Sequence, residues 1–329
     1  MIQENSVGRM KPLTAALQAE EKVAPPPGWL DAAHQGRNRI RRTVGKEIVT
    51  HPATGLLGPI AAQGVALSLR GHAAEHADRG GARGGLDEFG DGVPKDSAEA
   101  VKWYRKAADQ GNDGAQFAIG VMYYSGDGVA KNYAEAVKWF RRAADHGNAR
   151  AQGNLGGIYD SGNGVPKDSA EAMKWYRKAA DQGKASAQYN LALMYYSGNG
   201  VPKDSAEAVQ WFRKAADQGL DAAQQKLGFM YYSGDGVAKN YAEAVKWFRK
   251  AADQGNADAQ HNLGIMYYNG EGVPKDLVQA HVWLNIAGAA GDENAKKNLA
   301  NVEKQMTDTQ KEKAMDLARE LFAKLPKEK

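Results

Sequence analysis

From Val101 to Leu325 apolar side chains return at spacings of three and four residues, the period of a helix with one buried face. The whole pattern also returns, every 36 residues, marked by Trp103, Trp139, Trp175, Trp211, Trp247 and Trp283. The stretch Asn148 to Gly183 shows one period. Ala151, Leu155, Ile158 and Tyr159 share one face of a first helix, and Ala172, Trp175, Tyr176, Ala179 and Ala180 share one face of a second. Gly162 and Gly164 stop and turn the chain between them, and Pro166 prevents an early restart. Asp168 with Glu171 three residues on has the capping-box spacing, and Gly183 ends the second helix. Each period therefore predicts a hairpin of two antiparallel helices.

A hairpin of this size cannot bury its own apolar face, so hairpins must stack. The tryptophans are expected in the packing between them. After Trp283 the charged surface of the second helix becomes apolar (Val282, Leu284, Ile286), and two more helices follow, from about Asp292 to Gln305 and from Thr307 onward. The last carries Ala314, Leu317, Ala318, Leu321 and Leu325 on one stripe, as a helix closing the end of an array should. The expected fold is thus all-α: stacked two-helix hairpins over 86–291, the first of them partial and five full, then capping helices over 292–329. Residues 1–85 break the pattern. They hold 6 of the 11 prolines, and Arg79–Gly85 reads Arg-Gly-Gly-Ala-Arg-Gly-Gly, which will not sustain a helix. Two readings of this segment stay open: a disordered linker, or a misplaced start or frame error upstream of Leu86.

Charge narrows the function. Residues 1–85 hold 11 Lys+Arg and 7 Asp+Glu of the chain's 43 and 39, so 32 of each fall in 86–329. A neutral array lacks the electrostatic footprint of a nucleic-acid binder. With no cysteine there is no disulfide framework, thiolate nucleophile or Cys-based zinc site. The apolar stretch Gly55–Leu69 is too short and too broken by Pro59 to span a bilayer, and it starts too far in for a signal peptide. His72-Ala-Ala-Glu75-His76 has a zinc-protease spacing but sits among glycines without a third ligand, and Arg37–Arg42 reads as a solvated basic run. No Ser-x-x-Lys and no Ser-His-Asp arrangement can be assembled, and the Gly-x-Gly loops lack the Lys-Ser/Thr of a phosphate loop. The expectation is a protein without catalytic residues, cofactor or metal.

The repeated Ala-Gln (Ala151, Gln152), Leu-Gly (Leu155, Gly156), Tyr159, Gly-x-Gly-Val (Gly162 to Val165), Asp168, Ala172, Trp175, Ala179-Ala180 and Gly183 closely resemble the Sel-one-like repeat family, relatives of the tetratricopeptide repeats. The resemblance covers about residues 86–304. It implies a right-handed α-solenoid used for protein–protein interaction, often in bacterial signalling or host contact, and many members are exported. Some cysteine-rich relatives bind or hydrolyse β-lactams, and this chain, without cysteine, departs from them. A hydrolase or β-lactam binder and an exported regulator of a membrane signalling protein are the alternatives the resemblance brings. Location defaults to the cytoplasm, with export as the alternative.

Second helices barely change between units, whereas first helices change at positions that line the concave face in related repeats. One column reads Phe117, Gly153, Tyr189, Gln225, His261. A second reads Val121, Gly157, Leu193, Phe229, Ile265, and a third Tyr124, Asp160, Tyr196, Tyr232, Tyr268. Aromatic columns with a few polar groups suit a protein or extended peptide. A fourth column, Ala118, Asn154, Asn190, Lys226, Asn262, Asn298, could hydrogen-bond an extended backbone through its amides, or bond locally to neighbouring helices.

Overall fold

The structure is a computed structural model that describes residues 97–326. The readings made on 1–85, on the His72–His76 motif and on the Arg37–Arg42 run lie outside the described residues. Among the described residues there are thirteen α-helices and no strand. Second helices of the hairpins are α1 (Ser97–Asp109), α3 (Tyr133–Asp145), α5 (Ser169–Asp181), α7 (Ser205–Asp217), α9 (Tyr241–Ala252) and α11 (Leu277–Ala289). First helices are α2 (Asp113–Ser125), α4 (Ala149–Ser161), α6 (Ala185–Ser197), α8 (Asp221–Ser233) and α10 (Ala257–Asn269). The capping helices are α12 (Glu293–Glu303) and α13 (Asp308–Lys324). From α1 to α12 consecutive helices pack on one another, and α13 folds back onto α11.

Side-chain caps fix where the second helices begin. Asp168 accepts the Glu171 backbone N–H at 2.9 Å, and Asn132, Asp204, Asn240 and Asp276 do the same. The reciprocal half of the capping box differs from expectation. Glu171 accepts the indole N–H of Trp175 at 2.9 Å and the Lys174 ammonium at 3.1 Å instead of turning back to the cap. The backbone N–H of the cap residue Asp168 already donates to the Tyr159 carbonyl at 2.8 Å, so the Glu171 carboxylate is left to serve the buried indole. The full reciprocal box forms at Thr307 and Gln310, which start α13. First helices end on glycines in the left-handed conformation, such as Gly162, whose N–H returns to the Ile158 carbonyl.

The core alternates large and small. Phe140, Phe212, Phe248, Leu155, Leu191, Leu227 and Leu263 are fully buried, and the tryptophans from Trp139 to Trp283 are at most 7% exposed. The glycine that follows the buried Leu or Ile of a first helix, as at Gly120 and Gly156, lets the second helix approach. A Cβ on Gly156 would lie 2.5 Å from the Tyr176 ring, and one on Gly120 would lie 2.6 Å from Phe140.

Two polar devices join consecutive units. The Arg177 guanidinium on α5 donates to the Tyr195 hydroxyl on α6 and stands 5.1 Å from the Trp211 ring on α7, so one cation ties a helix to both helices of the next unit. Arg141 and Arg249 repeat the arrangement with Tyr159 and Trp175, and with Tyr267 and Trp283. The second device is a buried glutamine ladder. Gln188 donates to the Ala180 carbonyl near the end of α5 at 3.2 Å, and accepts from the Gln218 amide at 2.7 Å. Gln152 and Gln224 do likewise with Gln182 and Gln254. At both ends the ladder lacks its outer rung. The Gln116 and Gln260 Oε1 atoms have no partner, because the positions 30 residues on are His146 and Ala290. Gln188→Leu should therefore cost about 1–2 kcal/mol, the net worth of the two hydrogen bonds it removes, because the Ala180 carbonyl keeps the Gly183 N–H and the exposed Gln218 amide keeps the Lys214 carbonyl. Gln260→Leu should cost less, since it also removes an unpaired oxygen. Urea titrations of both variants check the difference.

At the C-terminal end α12 and α13 close the array. Ala314 and Ala318 are buried, Leu317, Leu321 and Leu325 half-buried, and Met315 and Phe322 stay exposed. His281, fully buried on α11, bonds Glu303 of α12 through Nε2 at 3.1 Å.

Candidate partner-binding face

The first helices lie side by side in register. Asn163, in the loop after α4, donates to the Tyr124 hydroxyl of α2 at 3.2 Å, and Asn199, after α6, donates to Asp160 of α4 at 3.1 Å. Tyr232 of α8 donates to Glu271, after α10, at 3.1 Å. The third column of candidate residues therefore makes bonds between units as well as facing outward. Burial, and after it the Glu271 carboxylate beside it, pushes the Tyr232 phenol far above its usual range.

The columns differ along the array. In α10, Asn262, Ile265 and Tyr268 are buried. His261 is held from both sides by α12: Nδ1 lies 2.8 Å from Asp292 and Nε2 lies 2.9 Å from the Asn298 amide. Gln305 donates to the Tyr268 hydroxyl at 2.5 Å. The cap thus folds over this end of the face and uses its polar groups. Phe117 and Tyr124 of α2 and Gln225 of α8 are buried too, Phe117 against the Phe140 ring at 5.8 Å. Side chains that stay partly exposed are Val121, Asn154, Tyr189, Asn190, Leu193, Tyr196, Phe229 and Tyr232, most of them on α4, α6 and α8. Within the asparagine column Asn154 and Asn190 are partly exposed, and Asn190 bonds the Tyr176 hydroxyl. That phenol is raised first by burial and then by the nearby Asp160 charge. Tyr104, its counterpart on α1, faces Ala118 in place of an asparagine. Its hydroxyl has no partner, and burial pushes the phenol up to about 12.

Sequence reasoning placed the columns but missed the glutamine ladder. The available signal was Gln152, a polar residue wedged between Ala151 and Leu155 of the apolar face and repeated in every unit. Among the described residues no group of three or more His, Asp or Glu is placed to hold a metal, and no helix is long and apolar enough to cross a membrane.

Stacked helical hairpins with a laterally aligned row of first helices define an α-solenoid of the repeat type. The model of the Sel1 repeat matches residues 84–112, 114–148, 149–184, 185–220, 221–256 and 257–292. The chain belongs to the Sel1 repeat family, whose members are typically protein-interaction scaffolds. Among solved structures, a Sel1 repeat protein from Oxalobacter formigenes is 32% identical over 71% of this chain and 92% of its own, with a TM-score of 0.59. The protein c5321, a protective antigen present in uropathogenic Escherichia coli strains, is 35% identical over 71% of this chain, with a TM-score of 0.49. The chain spans 58% of that antigen's length. Comparison with curated proteins found no match.

Proposed function

We propose that the face formed by α4, α6 and α8, the concave side of the array, binds a segment of another protein and that the chain is a scaffold without catalysis. The observation that supports this is the contrast along the face. Tyr189, Leu193, Tyr196, Phe229 and Tyr232 remain partly exposed at its centre, whereas the same columns are covered at its C-terminal end. A cluster of rigid aromatic and branched side chains offers contact area at low entropic cost, which is the composition of binding hot spots.

The test is selection of phage-displayed random linear dodecapeptides on the full chain, followed by fluorescence anisotropy with the enriched sequences. Changing Leu193 and Phe229 together to alanine should weaken binding by at least tenfold, and the folded state should survive, since neither side chain is fully buried. Failure to enrich any peptide, or binding indifferent to the double change, overturns the reading.

A further inference from the structure

The unit built on α4 interrupts the face. Where neighbouring units place Phe117, Val121 and Tyr124 or Tyr189, Leu193 and Tyr196, α4 carries Gly153, Gly157 and Asp160. Neither glycine is there for the fold. A Cβ on Gly153 would meet nothing within 4 Å, and one on Gly157 would meet only the Tyr176 hydroxyl, at 3.5 Å, an ordinary contact. Neither has a positive φ. Gly156, between them, would drive its Cβ to 2.5 Å from the Tyr176 ring, so packing demands that glycine and not its two companions. Glycine inside a helix is less stable than alanine. Two of them one turn apart open a recess in a face otherwise walled with large side chains.

The recess has a charge at one end. Asp160 is the acid in a column of tyrosines and accepts one hydrogen bond, from Asn199 at 3.1 Å. It has no ion pair among the described residues, and Lys203, in the loop after α6, stands over the Tyr196 ring at 5.3 Å. The polar hydroxyl of Tyr176 forms part of the floor. A long aliphatic stem ending in a cation fits this shape, because the glycines leave room for the stem and Asp160 supplies the counter-charge.

Resting on the binding role argued above, we propose that the α4 recess takes a lysine or arginine side chain of the bound protein segment, with Asp160 as its carboxylate partner. The face is then divided in two: α4 reads a cation, and α6 with α8 reads apolar residues. A segment bound there has a fixed position for the basic residue relative to its apolar anchors.

The same phage-displayed dodecapeptides test this. Enriched sequences should carry Lys or Arg at one fixed offset from their apolar residues. Replacing that arginine by citrulline in the synthetic peptide should weaken anisotropy-measured binding to the unaltered chain at least tenfold, and this arm needs no protein variant. Asp160→Asn should weaken the arginine peptide equally and leave the citrulline peptide unchanged, and Gly157→Leu should exclude both by filling the recess. Gly153→Ala serves as the folding control, its melting temperature no lower than that of the parent. If no peptide is enriched, both this inference and the binding role fall. If peptides bind in a manner sensitive to Leu193 and Phe229 but indifferent to citrulline, Asp160 and Gly157, this inference alone falls.

Discussion

Trp211→Ala is expected to destabilise the array by about 3–5 kcal/mol, the loss typical of a large aromatic removed from a core that cannot collapse around the gap. Trp211 is 4% exposed. Its indole N–H donates to Glu207 at 2.8 Å, and its ring receives Arg177 of the preceding unit at 5.1 Å and Lys214 at 3.6 Å. The substitution thus opens a cavity within one hairpin and also removes a landing surface between two. In a linear array each unit leans on its neighbours alone, so a defect at the middle weakens the coupling between the two halves. Urea unfolding followed by the fluorescence of the remaining tryptophans should show an earlier and broader transition, resolving into two steps if the halves uncouple. Trp103, partly exposed on α1, should cost clearly less on the same change. Equal and small effects at both positions would mean that the tryptophans do not carry the packing.

The repeat was legible because its signals are local and redundant. Cap residues, helix-ending glycines and an apolar stripe occur in the same order in each unit, so every local preference agrees with the stacked fold. Local signals were also where the reading went astray. Asp168 and Glu171 have the spacing of a reciprocal cap, but Trp175, one turn beyond Glu171, brings an indole N–H within reach, and the carboxylate turns to it. Arg177 lies off the apolar face of its own helix. Its destination, between Tyr195 and Trp211, lies on the following unit and cannot be seen from the spacing within one helix.

The candidate face was legible as columns and not as exposure. Period fixes which positions point away from the core, but what covers them depends on where non-repeating helices fold. His261 and Asn190 occupy outward positions in neighbouring columns, yet α12 encloses His261 between Asp292 and Asn298, whereas Asn190 keeps part of its surface. The recess at α4 has the opposite origin. It comes from three substitutions within one helix, visible in the sequence as Gly153, Gly157 and Asp160. Their meaning needed the structure, which distinguishes a glycine required by a neighbouring ring from one that is not.

That distinction also sets the size of the second large effect. Gly236→Ala is expected to cost more than about 3 kcal/mol, combining about 1–2 kcal/mol for a side chain in the left-handed region with a clash the backbone must move to relieve. Gly236 has φ +69°, and a Cβ there would stand 2.2 Å from the Ser205 carbonyl oxygen and 2.8 Å from the Ala206 nitrogen. Those atoms belong to the first turn of α7, in the preceding unit, so the loop after one first helix is seated on the start of the previous second helix. Relief would lift that loop and break the joint between units. Gly219 isolates the conformational part, since its φ is +90° but a Cβ would meet nothing within 4 Å. Gly219→Ala should therefore cost only about 1–2 kcal/mol. Paired thermal and urea melts of the two variants give the difference directly. Equal losses would show that the second glycine of the loop serves the turn alone, and that the contact between units at Ser205 carries no weight.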